Sequence, residues 1–162
     1  MFKVNLEAER LLDRIGLEIL SALQEDGRIT FSELGKRVGL SSPAISERVR
    51  RMEEAGIIKG YRAIVDPEKM GYPITAAVRL SASRERQEDL LAFLKSRKEV
   101  LSCERVTGAD SFLLKVIVTN VSHLESLLDL LSKFGQPVTS IVLSVPVDYR
   151  PIQKWHDGEE AL

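Results

Sequence analysis

Cysteine is almost missing from this chain of 162 residues, with Cys103 the single example. That rules out an intrachain disulfide and any zinc site built on cysteines. Histidine is nearly as scarce: His123 and His156 are the two, and neither has a partner at metal-ligand spacing. No glycine-rich phosphate loop, paired-carboxylate motif or nucleophile elbow occurs, so no catalytic residue, metal or cofactor is expected. Long apolar runs are also lacking, and nothing approaches the roughly 18 residues that a membrane-crossing helix needs. The amino-terminal MFKVNLEAERLLDRIG scatters charge where a secretory signal would have an apolar centre. A cytoplasmic location with no membrane partner is therefore expected.

What is present is ordinary in bulk and uneven in distribution. The chain is 44% hydrophobic and 29% charged, a composition that suits a globular protein of one domain or two small ones. Net charge is −1, so the whole molecule is not a basic nucleic-acid binder. Between Arg28 and Arg62, however, eight basic residues stand against four acidic ones. Beyond residue 66 the two signs nearly balance, 12 against 13. A local surplus of four positive charges is what a phosphate-facing surface requires.

The front of the chain predicts three helices. Leu12, Ile15, Ile19 and Leu23 recur at helical spacing from about Asp13, a suitable N-cap, to Gln24, with Asp26-Gly27 as the stop. Phe31, Leu34 and Val38 share one face of a short second helix, capped by Thr30 or Ser32 and ended by Gly39. After a turn at Gly39-Leu40-Ser41, a third helix begins with Ser41 or Ser42 as cap and Pro43 in its first turn. Its buried stripe is Ile45, Val49 and Met52, and Ala55-Gly56 closes it. At 100° per residue, Pro43, Ser46, Glu47, Arg50, Arg51 and Glu54 fall on the opposite face, with Arg48 at the flank.

Two helices joined by a short glycine-containing turn form a helix-turn-helix pattern, whose second helix enters the major groove of double-stranded DNA. Small residues at its start, Ser42, Pro43 and Ser46, permit close approach. Glu47 is placed to accept from a cytosine amino group, Arg50 and Arg51 to reach phosphate or guanine, and Lys36, Arg37 and Lys59 to hold the backbone. The competing reading is a tri-helical packing unit with an ordinary solvated outer face.

Across LDRI, ILSALQEDGRI, ELGKRVGLS, ERVRRMEEAGIIKGY and the following Val-Asp-Pro, the segment resembles the amino-terminal domain of the Lrp/AsnC (feast/famine) transcriptional regulators. The resemblance implies a winged-type helix-turn-helix domain. Gly16 departs from it, since the family often carries an acidic residue there; the expected consequence is for helix stability rather than DNA contact.

Residues 57–65 read as an extended connector, broken at Asp66-Pro67 and followed by Met70-Gly71-Tyr72-Pro73. Ile74, Ala76, Val78 and Leu80 then alternate as a half-buried strand. A helix over about 84–98, a strand over 100–107, a turn at 108–111, a nearly continuous apolar strand over 112–118 and a periodic helix from Val121 to Phe134, ended by Gly135, follow. The last strand is expected over 138–147. Cys103 is expected as a small buried group on its strand, and His123 as a surface residue of a helical first turn.

The order βαββαβ is ferredoxin-like, giving an α+β protein with helices on one sheet face. Ala77, Val142 and alternate residues of 112–118 make the second face apolar, so a second subunit is expected on it, which also suits two half-sites on DNA. The expected divisions are 1–66 for the helix-turn-helix domain and connector, 67–150 for the ferredoxin-like domain, and 151–162 for a polar tail.

RVTGADSFLLKVIV followed by TSIVLSVPV resembles the effector-binding and oligomerisation domain of the same family, extending the match to about residues 11–150. The resemblance implies dimers that assemble further, commonly into octamers, and amino-acid effectors bound between dimers. By position, the effector site falls on Gly108, Ala109, Asp110 and Ser111, with Thr139 and Ser140 on the neighbouring strand. The family pattern is often Gly, an acidic residue, an aromatic and Asp, whereas this chain has Gly-Ala-Asp-Ser, which leaves the effector's identity open; a plain hairpin turn is the alternative. Siroheme decarboxylases are similar in overall build, so an enzyme also remains open here, with the scarce histidines and the intact Ser-Ser-Pro/Arg-Arg helix standing against it. A third reading is an amino-acid sensor acting only through protein contacts.

Overall fold

The computed structural model describes residues 6–154, so Trp155 and His156 of the expected tail lie outside the described residues. The chain divides into two compact units. One comprises residues up to Ala63 together with those from Val147 onward; the other runs from Ile64 to Pro146. Among the described residues no helix is long and apolar enough to cross a membrane.

Among the described residues the first unit has four helices, α1 (Leu6–Leu11), α2 (Arg14–Glu25), α3 (Phe31–Val38) and α4 (Ser42–Glu54). The sequence pattern missed α1, because a helix of 6 residues is too short to show a period. Leu11, Ile19, Ala22, Leu34, Ile45, Val49 and Met52 form the core of this unit. Asp13 caps α2, Thr30 caps α3 in a reciprocal box with Glu33, and Ser41 caps α4. The turn between α3 and α4 is tight: a Cβ on Gly35 would lie 2.4 Å from the Leu40 carbonyl oxygen, so only glycine lets the chain fold back this closely. Residues 57–66 carry no strand of their own.

The first unit also holds the described chain just beyond Val147. The Ile152 N–H donates to Gln24 Oε1 at 2.8 Å, Gln24 Nε2 donates to the Ile152 carbonyl at 3.1 Å, and the Tyr149 hydroxyl donates to the same Oε1 at 3.1 Å. The expected polar tail is thus bonded to α2 at Ile152.

The second unit contains β1 (Ile74–Ala82), α5 (Gln87–Ser96), β2 (Val100–Arg105), β3 (Phe112–Val118), α6 (Val121–Ser132) and β4 (Gly135–Ile141). Its sheet is antiparallel in the order β2-β3-β1-β4, the ferredoxin-like arrangement. Ala76, Val78 and Leu80 of β1 and Phe112, Leu114 and Val116 of β3 pack with Leu90 and Leu94 of α5 and Leu124, Leu127 and Leu131 of α6. The alternate positions lie on the opposite face. There Leu113 and Val138 remain 37% and 43% exposed, both paired in register with Arg79.

Three expectations in this unit need correction. The last strand starts at Gly135, which therefore opens β4 instead of closing α6, and it ends at Ile141 rather than running to 147. Val142 makes one further bond to the Thr75 carbonyl, but β1 begins at Ile74 and is preceded by Pro73, which has no N–H for a ladder. Pro137 is accommodated because β4 is an edge strand. Cys103 is exposed, since β2 is the other edge and has no fully buried residue. His123 does sit in the first turn of α6 but is half-buried, with Nε2 3.1 Å from Glu99 Oε1 and Nδ1 3.1 Å from Thr119 Oγ1. The chain entering β2 places Glu99 against it.

Candidate nucleic-acid interface and effector cavity

Helix α4 is held to the first unit through Ile45, Val49 and Met52, with Ala44 and Arg48 half-buried at the flanks, which leaves its outer face open. Ser42, Pro43, Ser46, Glu47, Arg50 and Arg51 are all exposed, as the 100° spacing predicts. Lys36 and Arg37 are exposed in the last turn of α3, and Lys59 is exposed after α4. Nine residues expected to face DNA therefore lie on the outside of one unit.

Arg50 is already engaged. Its Nη2 and Nε lie 2.7 Å and 3.0 Å from the two Glu47 carboxylate oxygens, and its Nη1 meets Glu54. The guanidinium hydrogen bond holds the Glu47 carboxyl below its ordinary range, and the same bond raises Arg50. These groups are exposed, so solvent and a competing phosphate can exchange with the carboxylates. Arg48 is different: it turns away from this face to Asp13, with Nη2 to Oδ1 at 2.5 Å.

In the second unit, a cavity of about 610 Å³ opens between the start of α5 and the loop joining β2 to β3. Gly108, Asp110 and Ser111 line it, joined by Arg84, Gln87, Glu88, Leu91, Arg105 and Val106. The Ser111 N–H donates to the Leu80 carbonyl at 3.1 Å, which fixes the loop against β1. Asp110 Oδ2 lies 3.8 Å from Arg79 Nη1, so this carboxylate of the expected effector site already faces a cation. Arg105 donates to Gln87 Oε1 and lies 5.6 Å from the centre of the Phe112 ring.

Ala109 is exposed within the loop and does not line this cavity. Thr139 and Ser140 lie on β4, with β1 between them and β3, and do not line it either. Thr139 is paired with Val78 on the helix side of the sheet, and Ser140 with Ala77 on the open side. Adjacent strand residues point to opposite faces, so within one copy the two side chains lie on different sides of the sheet. The charged lining from α5 and the turn before it was missed by sequence reasoning; Arg84 and Glu88 resemble any solvated helix start, and only the fold sets them beside the loop. Among the described residues, no group of three or more His, Cys, Asp or Glu is arranged to hold a metal ion.

Residues 12–59 match a family model described as winged helix-turn-helix DNA-binding, and residues 75–152 match the Lrp/AsnC ligand binding domain. The HTH-type transcriptional regulator YezC of Bacillus subtilis is 41% identical over 82% of this chain and 94% of its own. A feast or famine regulatory protein of Mycobacterium tuberculosis (Rv3291c), solved in complex with L-methionine, is 35% identical with a TM-score of 0.81, covering 88% of this chain and 99% of that one. Transcriptional regulator NMB0573 of Neisseria meningitidis, also solved with L-Met, is 34% identical with a TM-score of 0.80 over 87% and 96%. With both domain models matched in order and the helix-turn-helix face exposed, the chain belongs to the Lrp/AsnC family of DNA-binding transcriptional regulators.

Proposed function

We infer that this regulator reads DNA as a homodimer, through the exposed face of α4, and that an amino acid bound at the β2–β3 loop modulates it. The observation that carries the DNA reading is the open first turn of α4. Ser42, Pro43 and Ser46 leave room for the groove, while Arg50, Arg51, Lys36, Arg37 and Lys59 surround them with positive charge. Small residues there admit the duplex, and the cations meet phosphate. Salt titration of DNA affinity tests it. Each lost phosphate contact should flatten the slope of log affinity against log salt by about 0.9, so Arg51→Ala should lower the slope and the affinity together. An unchanged slope would remove Arg51 from the interface.

The effector reading rests on the lining of the cavity. Arg84 and Arg105 offer cations for a carboxylate, Glu88 and Asp110 offer acceptors for an ammonium group, and Leu91 and Val106 offer an apolar wall. That combination suits a free amino acid, the class of ligand with which two structural relatives were solved. Calorimetry with the twenty amino acids, using Asp110→Ala as control, tests it; no heat from any of them would defeat the effector role.

Dimerisation is supported by the open sheet face, where Leu113 of the interior strand β3 and Val138 of the edge strand β4 are exposed apolar residues flanking Arg79. A second copy on that face would present two reading helices, matching two DNA half-sites. Further assembly, such as an octamer of four dimers, follows the family pattern. This reading makes the role regulatory, and a duplex partner would require the protein to work in the cytoplasm.

A further inference from the structure

Arg48 is the arginine of α4 that a charge count would assign to DNA, and its geometry assigns it elsewhere. Its side chain is 24% exposed and reaches across to the N-cap of α2, where Nη2 lies 2.5 Å from Asp13 Oδ1. The same oxygen accepts the Gly16 N–H at 2.7 Å, so one carboxylate ends α2 and grips α4 at once. Arg48 Nε is buried without a hydrogen-bond partner, which marks the guanidinium as drawn into the protein. The crossing beneath this contact is close. A Cβ on Gly16 would lie 1.8 Å from the Leu11 carbonyl oxygen and 3.0 Å from Met52 Cε. Gly16 is thus needed where α1, α2 and α4 meet, a packing constraint that its place in the sequence did not show.

We propose that the Arg48–Asp13 contact is a positioning tie that sets the rotation of α4 about its own axis, and so aims Ser46, Arg50 and Arg51 at DNA. The buried stripe of α4 is three residues long and apolar, and apolar packing is non-directional. A charged hydrogen bond from the flank supplies the direction that the stripe lacks. Hydrogen bonding from Arg48, with that from Gly16, also holds the Asp13 carboxyl below its ordinary value, as a carboxylate committed to a cation should be.

The test uses the full chain and a duplex that it selects from a randomised pool. Asp13→Asn keeps an N-cap side chain for α2 while removing the negative charge. Electrostatics alone would then strengthen DNA binding, because an acid has left a basic surface. The tie predicts the reverse: roughly two- to fivefold weaker binding, the range expected for losing a partly exposed ion pair. Arg48→Ala should weaken binding to a similar degree while leaving the salt slope unchanged, and the double variant should lose little more than either single one. Arg48→Lys, which keeps the cation, should recover part of the loss. Circular dichroism of each variant at the assay temperature establishes that the helices are intact. Tighter or unchanged binding by Asp13→Asn overturns the tie, as does a slope reduced by about 0.9 in Arg48→Ala, which would make Arg48 a phosphate contact. The proposal rests on α4 as the DNA reader; failure of the unaltered chain to select any duplex would overturn that role itself, and the tie with it.

Discussion

At the scale of single residues, charge is spent on order within the protein before any of it reaches a ligand. Thr30 Oγ1 accepts the Glu33 N–H at 3.2 Å, while Glu33 Oε2 accepts the Thr30 N–H at 3.1 Å, closing both ends of one helical turn. Thr30→Ala should cost about 0.5–2 kcal/mol in urea denaturation. Arg50 is shared between Glu47 and Glu54, so DNA must displace carboxylates to use it. Glu47→Gln should therefore bind DNA roughly two- to fivefold more tightly, the opposite sign to Asp13→Asn. Glu99 is 5% exposed and bonded to Arg97 and His123. Burial opposes its ionisation, yet hydrogen bonds from its own backbone and His123, with the Arg97 charge, hold its carboxyl below the ordinary 4.5. A carboxyl lowered on folding gives stability that is complete above its unfolded value and lost as pH falls through the folded one. Denaturation from pH 7 to pH 3 should show that loss in the parent chain and a flatter acid limb in Glu99→Gln.

At the scale of elements, glycine and the end of a neighbouring strand set limits that periodicity does not show. Gly35 reads in the sequence as one weak helix former among polar residues. In the fold it is the place where the turn carbonyl of Leu40 comes down onto α3. Gly35→Ala should destabilise the first unit by about 1–3 kcal/mol, the range for forcing atoms into a packed contact, with a matching fall in thermal midpoint. The strands of 74–82 and 112–118 were legible because their apolar residues alternate or run on between clear breaks. The carboxyl end of β4 was not, because Ile141, Leu143, Val145 and Val147 keep alternating after the ladder has stopped. A strand needs a neighbour with free N–H and C=O groups, and Pro73 removes the neighbour here.

At the scale of the whole molecule, two separate compact units are joined within one chain, and the open face of the sheet is where copies would meet. Leu113→Glu combined with Val138→Glu should yield a monomer by sedimentation and reduce DNA affinity by about tenfold or more, because two linked half-sites become one. A dimer that survives both substitutions would move the interface elsewhere.

The sequence by itself determined the order of the helices from α2 onward and of the strands, the exposed outer face of α4 and the family, since these depend on local periodicity, caps and runs of motif. Only the tertiary structure decided that Arg48 serves Asp13, that Glu99 is buried against His123, that Thr139 and Ser140 stand apart from the β2–β3 loop, and that α5 contributes charge to the cavity. Each of those facts is a meeting of residues distant in the chain. Such meetings depend on how elements pack, and packing leaves no period in the sequence.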